Sequence, residues 1–342
     1  MPKIIVDLRA NRESFVEQNP PPDPETAIQF NEIELDPDPT PQSQAVGEQT
    51  PSGRLSEIGP NPFFDVSISP LRAYYANEVI PASVGEQQMV IATEYGENED
   101  DVSRRILSVH GNQYRLVTNR EVVDAFEAAI ERYNLPALNQ YTVRNALGDD
   151  GNRMIRTYHF PNASTNLSPT LPVFFQIRLF NSYNGTWRAG LSAGAVLGTH
   201  NLVSQSTVEG FGKHTSGLNL PHITSLLDGA YQGFQRECLD WQRWANIPMV
   251  LDDAVAILHN LRSSDRLIER MRDRVLTEFG LNGSTALSFY RSLSRWAEDR
   301  SAMQEANADN AAVIQLNREA WVRRLLSCPI WLRLIETQEE TA

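Results

Sequence analysis

Apolar and polar positions alternate through the middle of the chain in the pattern of β-strands joined by short turns. Residues 106–109 and 114–117 flank a polar segment that contains a glycine, which predicts a hairpin. The same alternation predicts strands near 153–160, 173–182 and 186–197. These strands form the most strongly patterned part of the sequence.

The loop between the last two strands can be inferred from side-chain register. A two-residue turn at Asn184 and Gly185 would mix core and surface residues on one face, whereas a three-residue loop that also includes Tyr183, with the glycine left-handed, separates them. The predicted core face contains Phe175, Ile177, Leu179, Trp187, Ala189, Leu191 and Ala193. The opposite face contains Phe174, Gln176, Arg178, Phe180, Arg188, Gly190 and Ser192, with Phe180 opposite Arg188.

Helical spacing appears before and after these strands. Thr118 and Asn119 are candidate caps for a helix that extends through Arg132. Beyond Leu220, helices are predicted near 221–245, 250–261, 264–279, 284–304 and 309–335. Three strands followed by a helix predict an α+β fold, with an antiparallel sheet, a strand-strand-strand-helix core and a helical C-terminal region.

Charge and proline divide the chain. The net charge is −13, and the first hundred residues hold 18 acidic against 5 basic side chains and 13 of the 20 prolines. We therefore predict a disordered, acidic, proline-rich tail at 1–62, an α+β core domain at 63–240 and a helical region at 241–342. The tail is either a solvated linker, or a nucleic-acid mimic, or a segment that keeps an oligomer soluble.

Length, cysteine content and apolar runs indicate the size class and the expected compartment of the protein. The 342 residues suffice for one large domain or two ordinary ones. Two cysteines, Cys238 and Cys328, exclude a dense disulfide framework and fit a reducing compartment. Because no run of about 18 apolar residues occurs, we expect a soluble protein of the host-cell cytoplasm with no membrane partner.

Between residues 151 and 227 the charge balance reverses, with five cations against one acid. The polar hairpin face is basic and aromatic, and such a surface can hold phosphates and stack bases. The candidate nucleic-acid-binding residues are Arg156, Arg178, Phe180, Arg188 and Lys213. The alternative is that helices cover this face and that the arginines pair with acids at its rim.

Motifs for catalysis or metal binding fail on inspection. The segment 210–215 resembles a phosphate loop, but Thr207 and His214 stand where glycine and Ser or Thr are required. His200, His214, His222 and Cys238 match no zinc spacing. Adjacent carboxylates at 149–150 and 252–253 diverge on a strand or helix. The sequence therefore indicates no catalytic residue, metal or cofactor.

Two segments carry a family resemblance. Residues 111–121 (GNQYRLVTNRE) and 179–186 (LFNSYNGT) resemble a family of phage- and plasmid-related proteins, domain of unknown function 932. Residues 201–203 and 213–217 add weaker similarity, and the whole covers about 105–240. The resemblance implies a mobile-element origin without a settled activity. Since the family's usual cysteine before Asn201 is absent, no redox or metal role carries over.

The strand-strand-strand-helix order is also similar to the core of phage single-strand annealing proteins of the Red-beta and RecT type. This analogy suggests a phage-encoded accessory that binds or anneals single-stranded nucleic acid in recombination or replication, as a homo-oligomer. The alternative is a non-enzymatic protein-interaction module, either a virion component or a host-factor antagonist.

Overall fold

The protein has an α+β fold in a computed structural model that describes residues 53–70, 74–75, 78–79, 87–95, 102–168, 171–187, 189–198, 200–204, 223–261, 264–299 and 308–337. The described residues between 65 and 114 belong to one compact unit. Residues 53–64 and those from Arg115 onward belong to a second, larger unit.

The strands are β1 (Arg54–Ile58), β2 (Asp65–Pro70), β3 (Tyr74–Tyr75), β4 (Glu78–Val79), β5 (Gln87–Tyr95), β6 (Val102–Gly111), β7 (Tyr141–Gly148), β8 (Arg153–Ser168), β9 (Leu171–Ser182), β10 (Gly190–Leu197) and β11 (His200–Leu202). The helices are α1 (Asn119–Tyr133), α2 (Ile223–Trp244), α3 (Leu251–Asn260), α4 (Asp265–Asn282), α5 (Ala286–Glu298), α6 (Ala308–Arg323) and α7 (Pro329–Thr337). Within the described part, no helix is long and apolar enough to cross a membrane.

The smaller unit contains the antiparallel sheet β2-β5-β6 and the β3-β4 pair. Here the predicted hairpin at 106–109 and 114–117 is wrong. Strand β6 pairs instead with β5, which precedes it, and residues 115–118 form no strand. Val117 is buried in the core of the larger unit, directly before the Thr118 cap of α1. The apolar residues after the turn therefore lead into the helix.

The larger unit is built on the six-stranded sheet β1-β7-β8-β9-β10-β11. Strands β7 to β11 are antiparallel, as predicted, and β1 adds to β7 in parallel, so the sheet is mixed. The order β8, β9, β10 and then α2 confirms the expected strand-strand-strand-helix core, with the short β11 inserted.

Strand β1 lies inside the segment predicted to be a disordered tail. A Cβ at Gly53 would lie 2.3 Å from the carbonyl oxygen of Asn139, and one at Gly59, where φ is +110°, would lie 2.3 Å from that of Asn145. Glycine at both ends thus allows β1 to approach the backbone of the larger unit closely. Residues 1–52 of the predicted tail lie outside the described residues.

One face of this sheet packs against α1 and α2. Phe126 of α1 contacts Tyr158 with ring centroids 4.7 Å apart, and Phe234 of α2 contacts Phe175 at 5.1 Å. The predicted core face of the hairpin is confirmed for Phe175, Ile177, Leu179, Ala189, Leu191 and Ala193, all fully buried. Trp187 is only half-buried, because it lies in the loop.

The β9–β10 loop is wider than predicted. Phe180 faces Gly190 rather than Arg188, so residues 183–189 form the connection. The hydroxyl of Ser182 bonds the backbone N–H and carbonyl of Trp187, both at 3.0 Å, and this closes the wider loop. The strand pairing is shifted by two residues from the predicted one, so every side chain stays on its predicted face of the sheet. Gly185 is left-handed as predicted, with φ of 70°.

The C-terminal helices share the core of the larger unit. Trp244 of α2 contacts Tyr290 of α5 and Trp331 of α7, with centroids 5.1 and 4.9 Å apart. The predicted domain boundary at 240–241 falls within α2. The predicted helix at 309–335 is two helices, separated by a 3₁₀ turn at Arg324–Ser327.

Candidate functional site

Arg156 is the first of the predicted binding residues, and the structure buries it completely. Its guanidinium donates to Glu57 Oε1 at 2.5 Å, to Glu127 Oε1 at 3.0 Å and to Asn145 Oδ1 at 2.9 Å. Its Nε donates to the hydroxyl of Tyr158. Internal acceptors therefore already occupy the guanidinium, and the structure lends the expected phosphate contact at Arg156 no support.

The surrounding cluster joins β1 to the sheet. Arg54 donates to both oxygens of Glu127, at 3.1 and 2.9 Å, so two arginines and two glutamates alternate. Burial disfavours the charged carboxylate of Glu57, but hydrogen bonds from Arg156 and Asn145 outweigh burial and hold its pKa below the usual value. The cluster therefore stabilises the strand pairing.

Arg178 is also buried, and it pairs with α6. Its two terminal nitrogens donate to Glu319 Oε1 and Oε2 at 2.7 and 2.6 Å, a bidentate pair. Arg178 and Arg323 hold the pKa of Glu319 below its usual value, although burial opposes this. The prediction of an exposed Arg178 is wrong, and the alternative is correct at this residue, because a helix covers the face and supplies an acid.

The other three predicted residues form no binding surface within the described part. Phe180 is half-buried and meets Trp187 edge-on, with centroids 6.5 Å apart. Arg188 and Lys213 lie outside the described residues. Arg153 lies over the Trp187 ring at 5.5 Å. The basic, aromatic platform expected on the hairpin is thus not assembled from the residues described.

The two segments that carry the family resemblance meet at one buried junction. Asn181 Nδ2 donates to the carbonyl of Val117 at 3.0 Å and to Asn119 Oδ1 at 2.9 Å. The backbone N–H of Asn119 donates to the hydroxyl of Tyr183 at 3.0 Å. All three side chains are at most 1% exposed. These residues therefore fix the start of α1 against the end of β9.

A different site lies between α4 and α5, in a groove of about 430 Å³ that we call the arginine groove. Its cationic lining is Arg270 and Arg274 from α4 and Arg295 from α5, and Asp273 and Glu278 line it too. Four-residue spacing places Arg270 and Arg274 one turn apart on the same helix face. The groove therefore follows from the packing of two helices.

Glu278 organises one wall of the groove. Its side chain is 2% exposed, forms an ion pair with Arg291 Nε at 2.9 Å and accepts from Arg295 Nη1, also at 2.9 Å. It also accepts from Asn282 Nδ2 at 2.8 Å. On the other side, Arg274 pairs with Asp299 at the C-terminal end of α5. These bonds hold Arg274 and Arg295 at the two sides of the groove.

The groove has more positive than negative charge. Arg270 is exposed and forms no ion pair with any residue that the structure describes. Arg318 of α6 flanks the site, and burial together with the charges of Arg270 and Arg274 lowers its pKa below the usual value. Three arginines, at 270, 274 and 295, and two carboxylates, at 273 and 278, line the groove itself.

The described residues include no candidate site for metal binding or for thiol chemistry. Among them, no group of three or more His, Cys, Asp or Glu side chains is placed to hold a metal ion. Cys238 and Cys328 are buried free thiols, and burial raises the pKa of Cys238 to about 12. The thiol of Cys238 is therefore protonated at neutral pH and a poor nucleophile.

Sequence reasoning missed the arginine groove because the charges of α4 cancel along the chain. The helix carries Arg266, Arg270, Arg272 and Arg274, interleaved with the same number of acids. The available signal was the four-residue spacing of Arg270 and Arg274, repeated by Arg291 and Arg295. Only the packing of α4 against α5 brings the two pairs together.

Comparison of the chain with protein-family models, with curated proteins and with solved structures finds no match in any of the three. The resemblance to domain of unknown function 932 thus stays a prediction. Among the described residues, the candidate site for a ligand is the arginine groove on the larger unit.

Proposed function

We propose that the protein is a phage-encoded accessory that binds single-stranded nucleic acid in recombination or replication, and that the arginine groove holds its phosphates. The observation that carries the proposal is the convergence of Arg270, Arg274 and Arg295 on one solvent-open groove. This moves the interface away from Arg178 on the hairpin face and from Arg156 on the opposite face of the sheet, both of which are buried in ion pairs.

Arginine suits this role for a physical reason. Each guanidinium has five N–H donors in a planar fork that matches phosphate oxygens. Arg274 and Arg295 each form a carboxylate pair that leaves other donors free, and Arg270 has no such pair among the described residues. The site is thus held in shape by ion pairs and still has donors for a ligand.

The overall charge does not oppose the proposal. The acidic excess of the chain lies before residue 101, whereas the residues that line the groove lie between 270 and 295. Local charge governs phosphate binding because, at physiological salt, charges are screened beyond about 8 Å. A net charge of −13 is therefore compatible with a cationic site on the helical part.

The test is fluorescence anisotropy of the full chain with labelled single-stranded and double-stranded oligonucleotides across a salt series. Replacing Arg270 and Arg274 together by Ala should weaken single-strand binding. The slope of log K against log salt should also become shallower, by about 0.7 for each phosphate that is no longer bound. Arg272→Ala is the matched control, since Arg272 is exposed on the same helix and does not line the groove.

Two results would count against the proposal. If the double variant binds as tightly as the unchanged chain, the groove is not the interface. If the unchanged chain binds no oligonucleotide at low salt, nucleic-acid binding itself is rejected, and a protein partner becomes the better hypothesis.

The proposal includes a homo-oligomer, as the resemblance to annealing proteins implies. Light scattering of the purified chain measures its mass.

A further inference from the structure

We propose that the arginine groove receives the terminal phosphate monoester of a nucleotide strand in preference to an internal phosphodiester. This inference rests on the proposed function and specifies the ligand of the same site. It follows from the size of the groove, its excess charge and the residue at its far end.

The cationic part of the groove is short. Arg270 and Arg274 are four residues apart on α4, about 6 Å along the helix axis, and Arg295 lies across from them on α5. The volume of about 430 Å³ falls within the range of about 300–1,000 Å³ for small-molecule sites. Such a groove fits one nucleotide better than a continuous strand.

The charge of the groove favours a dianion. Three arginines and two carboxylates line it, which leaves an excess of one positive charge. A phosphate monoester carries a charge of about −1.5 to −2 at pH 7, because its second pKa is about 6. An internal phosphodiester carries a single negative charge. The monoester therefore gains more from the same three arginines.

An apolar contact adjoins the cationic end. Leu281 lines the groove and is 69% exposed, so its side chain is accessible to a ligand in the groove. It follows Arg274 by seven residues on α4, about 10 Å along the axis. A nucleotide joins a charged phosphate to a base with apolar faces. Phosphate on the arginines and the base on Leu281 would satisfy both ends of the groove.

The experiment compares two oligonucleotides of one sequence that differ only at the 5′ end, one with a phosphate and one with a hydroxyl, each labelled at the 3′ end. The phosphorylated strand should bind about tenfold more tightly, as expected when charge-assisted bonds are added. Arg270→Ala with Arg274→Ala should abolish the difference, and Arg272→Ala should preserve it. Because the monoester loses charge near its second pKa, the preference should shrink between pH 7.5 and about 5.5.

Competition by inorganic phosphate and by a nucleoside monophosphate identifies which part of the strand end is recognised. The nucleotide should compete at lower concentration, and Leu281→Ser should remove that advantage while the 5′-phosphate preference persists. If inorganic phosphate competes equally well, the site recognises phosphate alone and the nucleotide assignment fails.

The outcomes separate this inference from the proposed function. Equal binding of both strands, still abolished in the Arg270 and Arg274 variant, overturns end recognition and leaves nucleic-acid binding intact. A 5′-phosphate preference that survives in this variant places the end site elsewhere and overturns the inference. Absence of binding to either strand rejects both proposals.

Discussion

Replacement of Glu319 is the sharpest test of whether Arg178 on the hairpin face serves the fold. Its side chain is 3% exposed and accepts two short bonds from Arg178, with further bonds from Gln315 and Arg323. Glu319→Ala leaves the buried Arg178 charge without its partner, and such losses cost about 3–5 kcal/mol. Because domains are stable by about 5–15 kcal/mol, this is a large share.

Urea unfolding of the full chain, followed by tryptophan fluorescence, measures the loss. Glu319→Gln is the matched control, since it keeps one acceptor oxygen and should lose about 1.5–3 kcal/mol. The double variant Arg178→Met with Glu319→Leu should recover most of the stability, because an apolar pair replaces the ionic one. It should also bind single-stranded oligonucleotides as the unchanged chain does.

The pH dependence has a definite sign. Since the pKa of Glu319 in the folded protein lies below its ordinary value of 4.5, its contribution to stability is complete above pH 4.5. That contribution is lost as the pH falls through the lower folded pKa. In Glu319→Gln, the free energy of unfolding should therefore fall less steeply as the pH is lowered below 4.5. If Glu319→Ala costs less than about 1 kcal/mol, or if the Arg178 double variant folds but no longer binds, the structural role assigned to the pair is refuted.

Three other predictions concern the fold. Gly59→Ala should lower the melting temperature in a thermal scan, because the new Cβ meets the Asn145 carbonyl at a positive φ; an unchanged melting temperature would contradict the close approach of β1. Asn181→Ala should cost about 1–3 kcal/mol in urea unfolding, since the buried Val117 carbonyl loses its donor; Asn184→Ala, in the adjacent loop, serves as the comparison. Cys238 should react with a thiol reagent at pH 8 only after unfolding, and rapid labelling of the native chain would show that this thiol is accessible.

The fold class and the hairpin core could be predicted because the signal there is local. Apolar residues alternate along β9 and β10 with period two, and that alternation fixes which side is buried. The loop length was wrong by a shift of two residues, which leaves the pattern of faces unchanged. Register is therefore specified by alternation only up to even shifts.

The burial of Arg178 beneath a helix could not be predicted in the same way. Arg178 and Glu319 are 141 residues apart, and no local pattern says that α6 lies over β9. A partly polar strand face has the same sequence pattern whether water or a helix covers it. Strand β1 was missed for a related reason, since its few apolar residues lie in a proline-rich, acidic context and its partners β7 and α1 come much later in the sequence.

The docking of β1 also has a consequence for the order of folding. Its ion pairs reach Glu127 and Arg156, which lie 73 and 99 residues further along the chain, and the whole of 65–114 is made in between. Contacts of such large sequence separation form slowly because a long loop must close first. During synthesis, β1 cannot pair with the sheet until β7 and its ion-pair partner on β8 have emerged from the ribosome. The first described strand of the sheet thus cannot be the first to take its place in it.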